Sequence, residues 1–152
     1  MKCPACSAPL FEVKSGEVLV DVCKNACGGV WFDAKELDKL DEEQEAVPHQ
    51  ILRPIKNANV AIDFNRKREC PRCAGKALTK SLHDEHYQLE LDECQGCGGI
   101  WLDLGELENL RNDNKSQDER NGVISRFERA YGGSVETVPG KRVKAVLRLL
   151  FS

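Results

Sequence analysis

Apolar positions along this chain change period twice, in the same order each time. In the stretch FEVKSGEVLVDV, Val18, Val20 and Val22 alternate after a Ser-Gly turn, the signature of a β-hairpin with one buried face. Leu37 and Leu40 then recur at helical spacing. Further on, Tyr87, Leu89 and Leu91 alternate after the polar stretch HDEH, which predicts a second hairpin turning at His83–His86. Leu107 and Leu110 again recur at helical spacing. Asp33-x-x-Glu36 and Asp103-x-x-Glu106 precede these leucines and read as an N-cap with a returning carboxylate, a form of the capping box. Between the two units, Val60, Ile62 and Phe64 alternate and predict a strand added to the second unit. After them, Val123, Phe127, Ala130 and Tyr131 form one helical stripe, and Val143, Val146, Leu147 and Leu150 another.

The hairpins are framed by cysteines. Cys3/Cys6, Cys23/Cys27, Cys70/Cys73 and Cys94/Cys97 form four close pairs in two repeats, each opening on C-P-x-C and closing on a second pair followed by Gly-Gly. Beyond the second pair the repeats match position by position: Trp31 with Trp101, Asp33 with Asp103, Glu36 with Glu106, Leu37 with Leu107. Each repeat therefore reads as knuckle, hairpin, knuckle, short helix. A unit of roughly 40 residues cannot rely on an apolar core alone. Cysteine pairs spaced by two to four residues, brought together by a hairpin, supply the four tetrahedral ligands of a structural zinc site. The two sites are Cys3, Cys6, Cys23, Cys27 and Cys70, Cys73, Cys94, Cys97, with one Zn²⁺ in each ribbon. Each would contribute on the order of 10–16 kcal/mol of apparent folding free energy. All four positions are filled by protein, which argues for a structural metal and against metal-based hydrolysis. Iron in a rubredoxin-like site, or a redox dithiol at C-P-x-C, are the competing chemistries. Cys23-x3-Cys27 is one residue longer than Cys94-x2-Cys97, which would loosen the first site's knuckle. Trp31 and Trp101 are expected to cover their own knuckle and hairpin, the alternative being exposed stacking or docking platforms.

The phrase C-P-x-C followed by C-x2-C-G-G-I-W-L-D-x-G-E-L resembles the TFIIB-type zinc-ribbon family (transcription-factor zinc-finger), here as a tandem repeat. The second repeat follows the pattern throughout. The first departs from it at the extra knuckle residue and at Lys35, where the family has Gly. The resemblance covers about residues 1–40 and 68–110 and implies zinc binding, with transcription as a fold-level analogy.

The resulting fold class is small, metal-stabilised α+β: two zinc ribbons, each a β-hairpin plus short helix, with a C-terminal helical segment. The expected organisation is ribbon one at 1–40, a linker at 41–67, ribbon two at 68–110, a polar linker at 111–122 and an amphipathic helical tail at 123–152. With no apolar run of about 20 residues there is no expected transmembrane helix. No signal peptide is read at MKCPACSAPL, which makes the cytoplasm the expected location and free thiols the expected cysteine state. His49, His83 and His86 are the only histidines, and no catalytic constellation is visible.

Charge then divides two functional classes. The net charge is −3, and each Zn(Cys)4 centre carries two further negative charges, which disfavours phosphate binding at the knuckles. The preferred reading is a non-enzymatic zinc-binding adaptor whose tail at 141–152 engages a protein partner, with homodimerisation as one form of it. The alternative is a nucleic-acid-binding module using Arg66, Lys67, Arg68, Lys141, Arg142, Lys144 and Arg148 on phosphates.

Overall fold

The computed structural model describes residues 1–15, 18–39, 57, 59–63, 65–84, 89–103, 142, 145 and 146. Both hairpins form. Strand β1 (Phe11–Ser15) pairs antiparallel with β2 (Val18–Val22), and β4 (Thr79–Asp84) pairs antiparallel with β5 (Leu89–Glu93). His83, assigned from sequence to the second turn, lies in β4 opposite Glu90.

Each ribbon also has a third strand that the periodicity does not reveal. These are β3 (Val30–Phe32) and β6 (Ile100–Leu102). Three apolar residues in a row have no period of their own, so nothing local marks them as a strand. They join the ribbons into one antiparallel sheet of order β1-β2-β3-β6-β5-β4. In the β3–β6 pair Val30 faces Leu102, Trp31 faces Trp101 and Phe32 faces Ile100. Trp31 is opposite its own repeat equivalent, the register expected of a pseudo-two-fold axis through that pair.

The register sorts the faces, because paired residues share a face and neighbours along a strand alternate. One face carries Val20, Val22, Val30, Phe32, Ile100 and Leu102. The other carries the row Asp21, Trp31, Trp101, Asp92. All six residues of β3 and β6 are buried, so the centre of the sheet is covered on both sides. Helix α1 (Ala34–Asp38) packs against β2, with Leu37 buried.

The capping box is not made in the first repeat. Asp33 holds the extended N-cap conformation, but its carboxylate makes no cap hydrogen bond. Glu36 accepts from the Leu19 backbone N–H at 2.8 Å instead, tying the helix to the hairpin. The segment Val60–Asp63 is irregular and is not a strand added to ribbon two. Val60 and Ile62 pack against the core that contains the cysteines, and Asn57 donates its N–H to the Ala26 carbonyl.

Gly16 and Glu17 of the expected first turn, the second repeat's helix, Phe64, His49, His86, residues 41–56, the linker 111–122 and the stripe at 123–131 lie outside the described residues. Of the tail, Arg142, Ala145 and Val146 are described, all in helical conformation, with Ala145 and Val146 buried. Among the described residues no helix is long and apolar enough to cross a membrane.

Candidate metal centres

The eight cysteines gather into the two groups their spacing predicts. Within Cys3, Cys6, Cys23, Cys27, and within Cys70, Cys73, Cys94, Cys97, the sulfurs lie within 4.8 Å of one another. Cys3 and Cys27 Sγ are 3.4 Å apart, Cys6 and Cys23 3.5 Å, and Cys70 and Cys97 3.6 Å. Four sulfurs at ~2.3 Å from a tetrahedral zinc stand about 3.8 Å from one another, close to these values. A disulfide would need about 2.05 Å, and all eight thiols are free.

Each first knuckle is closed by an isolated bridge, Lys2 with Pro9 and Glu69 with Ala77. Backbone N–H groups then turn toward sulfur. Ala5 donates to Cys3 at 3.3 Å, Gly29 to Cys27 at 3.5 Å, Cys73 to Cys70 at 3.2 Å and Gly96 to Cys94 at 3.4 Å. Such donors favour thiolates. The extra residue in the first site's second knuckle is absorbed by Asn25, which adopts φ 60°. Asn tolerates that left-handed conformation better than most residues. The turn widens accordingly: Gly28 N–H reaches back to the Cys23 carbonyl at 3.0 Å, where Gly98 reaches Cys94 at 2.8 Å.

The thiols do not ionise alike without a cation. Hydrogen bonds from Cys27 and Cys3 pull Cys23 down to about 2, while the bond to Cys23 pushes Cys27 up to about 12 and Cys3 upward as well. In the second group burial pushes Cys94 up, but N–H donors and the Cys70 and Cys97 thiols outweigh it and leave it at about 7. Burial raises Cys70 and Cys97. The upward shifts at Cys3, Cys27, Cys70 and Cys97 oppose gathering negative sulfurs at one point, and a bound cation offsets that cost. The residues fit one Zn²⁺ in each group.

The tryptophans do not stand as exposed platforms. Trp31 and Trp101 are fully buried, in one core with both cysteine groups. Nor does each simply cover its own knuckle. A Cβ on Gly99 would collide with the Trp31 ring, and one on Gly29 with the Trp101 ring, at 2.6 Å from Cη2 in both cases. Each indole therefore presses on the other ribbon's second knuckle. Its N–H is satisfied two residues along: Trp31 Nε1 donates to Asp33 at 3.1 Å and Trp101 Nε1 to Asp103 at 3.0 Å.

Those two aspartates also take one arginine each. Arg72, inside the second site's first knuckle, pairs with Asp33 of the first ribbon. Arg68 pairs with Asp103 at 3.5 Å, both residues buried, and donates to the Asp63 carbonyl at 2.8 Å. Neither ion pair has a local signature in the sequence; the local signal is W-x-D in both repeats, an indole donor with a carboxylate at the fixed offset that lets it return.

The transcription factor zinc-finger family model matches residues 2–43 and 69–113, more than half of the chain. The protein belongs to this family of TFIIB-type zinc ribbons and carries two of them in tandem. No curated protein and no solved structure matches it.

Proposed function

We propose that the protein is a non-enzymatic zinc-binding adaptor in which two structural zinc ribbons build one rigid sheet for a protein partner. The observation that carries this reading is the composition of the sites: each group offers four cysteine sulfurs and so fills a tetrahedral zinc without leaving a position for water. The family's name makes a transcription complex the first partner to test, and the cytoplasm is the expected location.

The nucleic-acid alternative is weakened by where its residues sit. Arg68 is buried on Asp103, and Arg142 is held by Asp38 through Nε at 2.7 Å and Nη2 at 2.9 Å. Arg66 donates to the Ser7 hydroxyl at 3.3 Å. Three of the seven basic residues assigned to phosphates are thus engaged within the chain. The partner contact of 141–152 falls to positions other than Arg142, Ala145 and Val146. Capture from native extract with and without nuclease tests the choice. A stoichiometric protein retained after nuclease supports the adaptor, and a catch lost with nuclease, with steep salt dependence, supports the alternative.

A further inference from the structure

Arg142 meets two structures at once. Its Nε and Nη2 form a two-pronged pair with Asp38, the last residue of α1 in the first ribbon. Its remaining nitrogen, Nη1, lies over Gly98, which follows the second site's ligand Cys97. A Cβ on Gly98 would overlap Nη1 and stand 3.2 Å from Cζ. The side chain is only 17% exposed, and Ala145 and Val146, one helical turn on, are 7% and 0% exposed. The cation is thus delivered by a docked segment.

Asp38 alone does not account for this placement, since it is half exposed and any surface position would serve it. Among the described residues, Arg142 also interacts electrostatically with Glu93, buried beside Cys94, and with Cys97, whose sulfur would be a thiolate once metal is bound. Arg72 faces Cys97 as well. A tetrathiolate zinc centre carries two net negative charges, and removing it from water costs free energy that a fixed guanidinium offsets. The cations beside the first site's ligands, Lys2 and Lys24, are exposed and hydrated by comparison.

We infer that Arg142 is the charge-compensating partner of the second zinc centre, so that docking of the C-terminal segment and retention of metal at that centre reinforce each other. Linkage makes the effect on affinity reciprocal: metal at the second site holds the segment down, and the docked segment tightens metal binding there, which a slower loss of metal would express. This rests on zinc at the second site and not on the choice of partner.

The test uses the full chain loaded with ¹¹³Cd, which gives one resonance per site, assigned through couplings to the cysteine β-protons. Arg142→Ala is expected to shift the second site's resonance and leave the first in place. With zinc, metal loss from the second site to a chelator should quicken about tenfold, the size of one charge-assisted hydrogen bond. Arg142→Lys should restore part of the rate. Asp38→Asn, which keeps the guanidinium but frees it, should act in the same direction and more weakly, at the second site although Asp38 belongs to the first ribbon. Amide exchange at Ala145 and Val146 should rise in Arg142→Ala, and in the wild type as the second site is stripped. Unmoved resonances and rates in both variants, equal effects at both sites, or amide exchange at Ala145 and Val146 indifferent to metal would overturn the inference.

Discussion

The Trp31 ring of the first ribbon occupies the space where a side chain on Gly99 of the second would stand, and Trp101 does the same over Gly29. Each ribbon therefore supplies the lid for the other's knuckle. The Gly-Gly after each second cysteine pair has two separate causes. Gly28 and Gly98 are required by positive φ, at 78° and 73°. Gly29 and Gly99 lie outside that region and are required by the partner ribbon's indole.

Gly99→Ala is a steric test of this interlock, since no backbone strain accompanies it. Overpacking of this kind costs about 1–3 kcal/mol. Gly29→Ala should cost a similar amount, as the mirror-image contact. Denaturant unfolding followed by indole fluorescence measures both, and neutral behaviour in either would contradict the contact.

Trp31→Ala removes a fully buried indole and should destabilise by about 3–5 kcal/mol. It also leaves Gly99, and hence the second knuckle, uncovered. Zinc should then be lost sooner from the second site, although the substitution lies in the first ribbon. Site-resolved metal release checks this, and a defect confined to the first site would count against it.

From spacing alone, Cys94→Ser should unfold the second ribbon and leave the first with its zinc. The shared sheet changes that expectation. Loss of the second ribbon strips β3 of its β6 partner and Gly29 of Trp101. The first site should keep a zinc but hold it more weakly than in the wild type. Zinc competition against a chelator of known affinity measures the difference, and an unchanged first-site affinity would mean the ribbons are independent.

The repeats, the ligands and the hairpins were legible in the sequence because each has a local signature. Cysteine spacing is fixed by knuckle geometry, and Val18, Val20 and Val22 advertise a half-buried strand. The β3–β6 junction was not legible, since V-W-F and I-W-L are too short and too uniformly apolar to show a period. The capping box failed at Asp33 because the carboxylate had two stronger claimants, the Trp31 indole and Arg72. These partners are set by the fold and invisible to a local capping motif.

Acid should weaken the contacts around α1. The bond from Arg142 holds the Asp38 carboxyl below its usual range. Burial alone would raise Glu36, but Lys39 and the Leu19 N–H outweigh it and lower it too. Depressed carboxyls contribute stability that is complete above their unfolded values, ~3.9 and ~4.3, and is lost as pH falls through the folded values. The stability gap between wild type and Glu36→Gln should therefore be constant near neutrality and close on acidification. The gap is read only over the pH range in which both chains keep their metal, because loss of the metal-dependent fold would close it by itself. A gap that widened in acid would reverse the sign.

The reading of both sites as closed, structural centres is tested most directly by zinc K-edge absorption on the purified chain, combined with a zinc count. Two zinc ions per chain and a shell of four sulfurs at ~2.3 Å, with no nitrogen or oxygen neighbour, are expected. A light-atom ligand near 2.0–2.1 Å would mean an open coordination position, and with it a metal that takes part in chemistry.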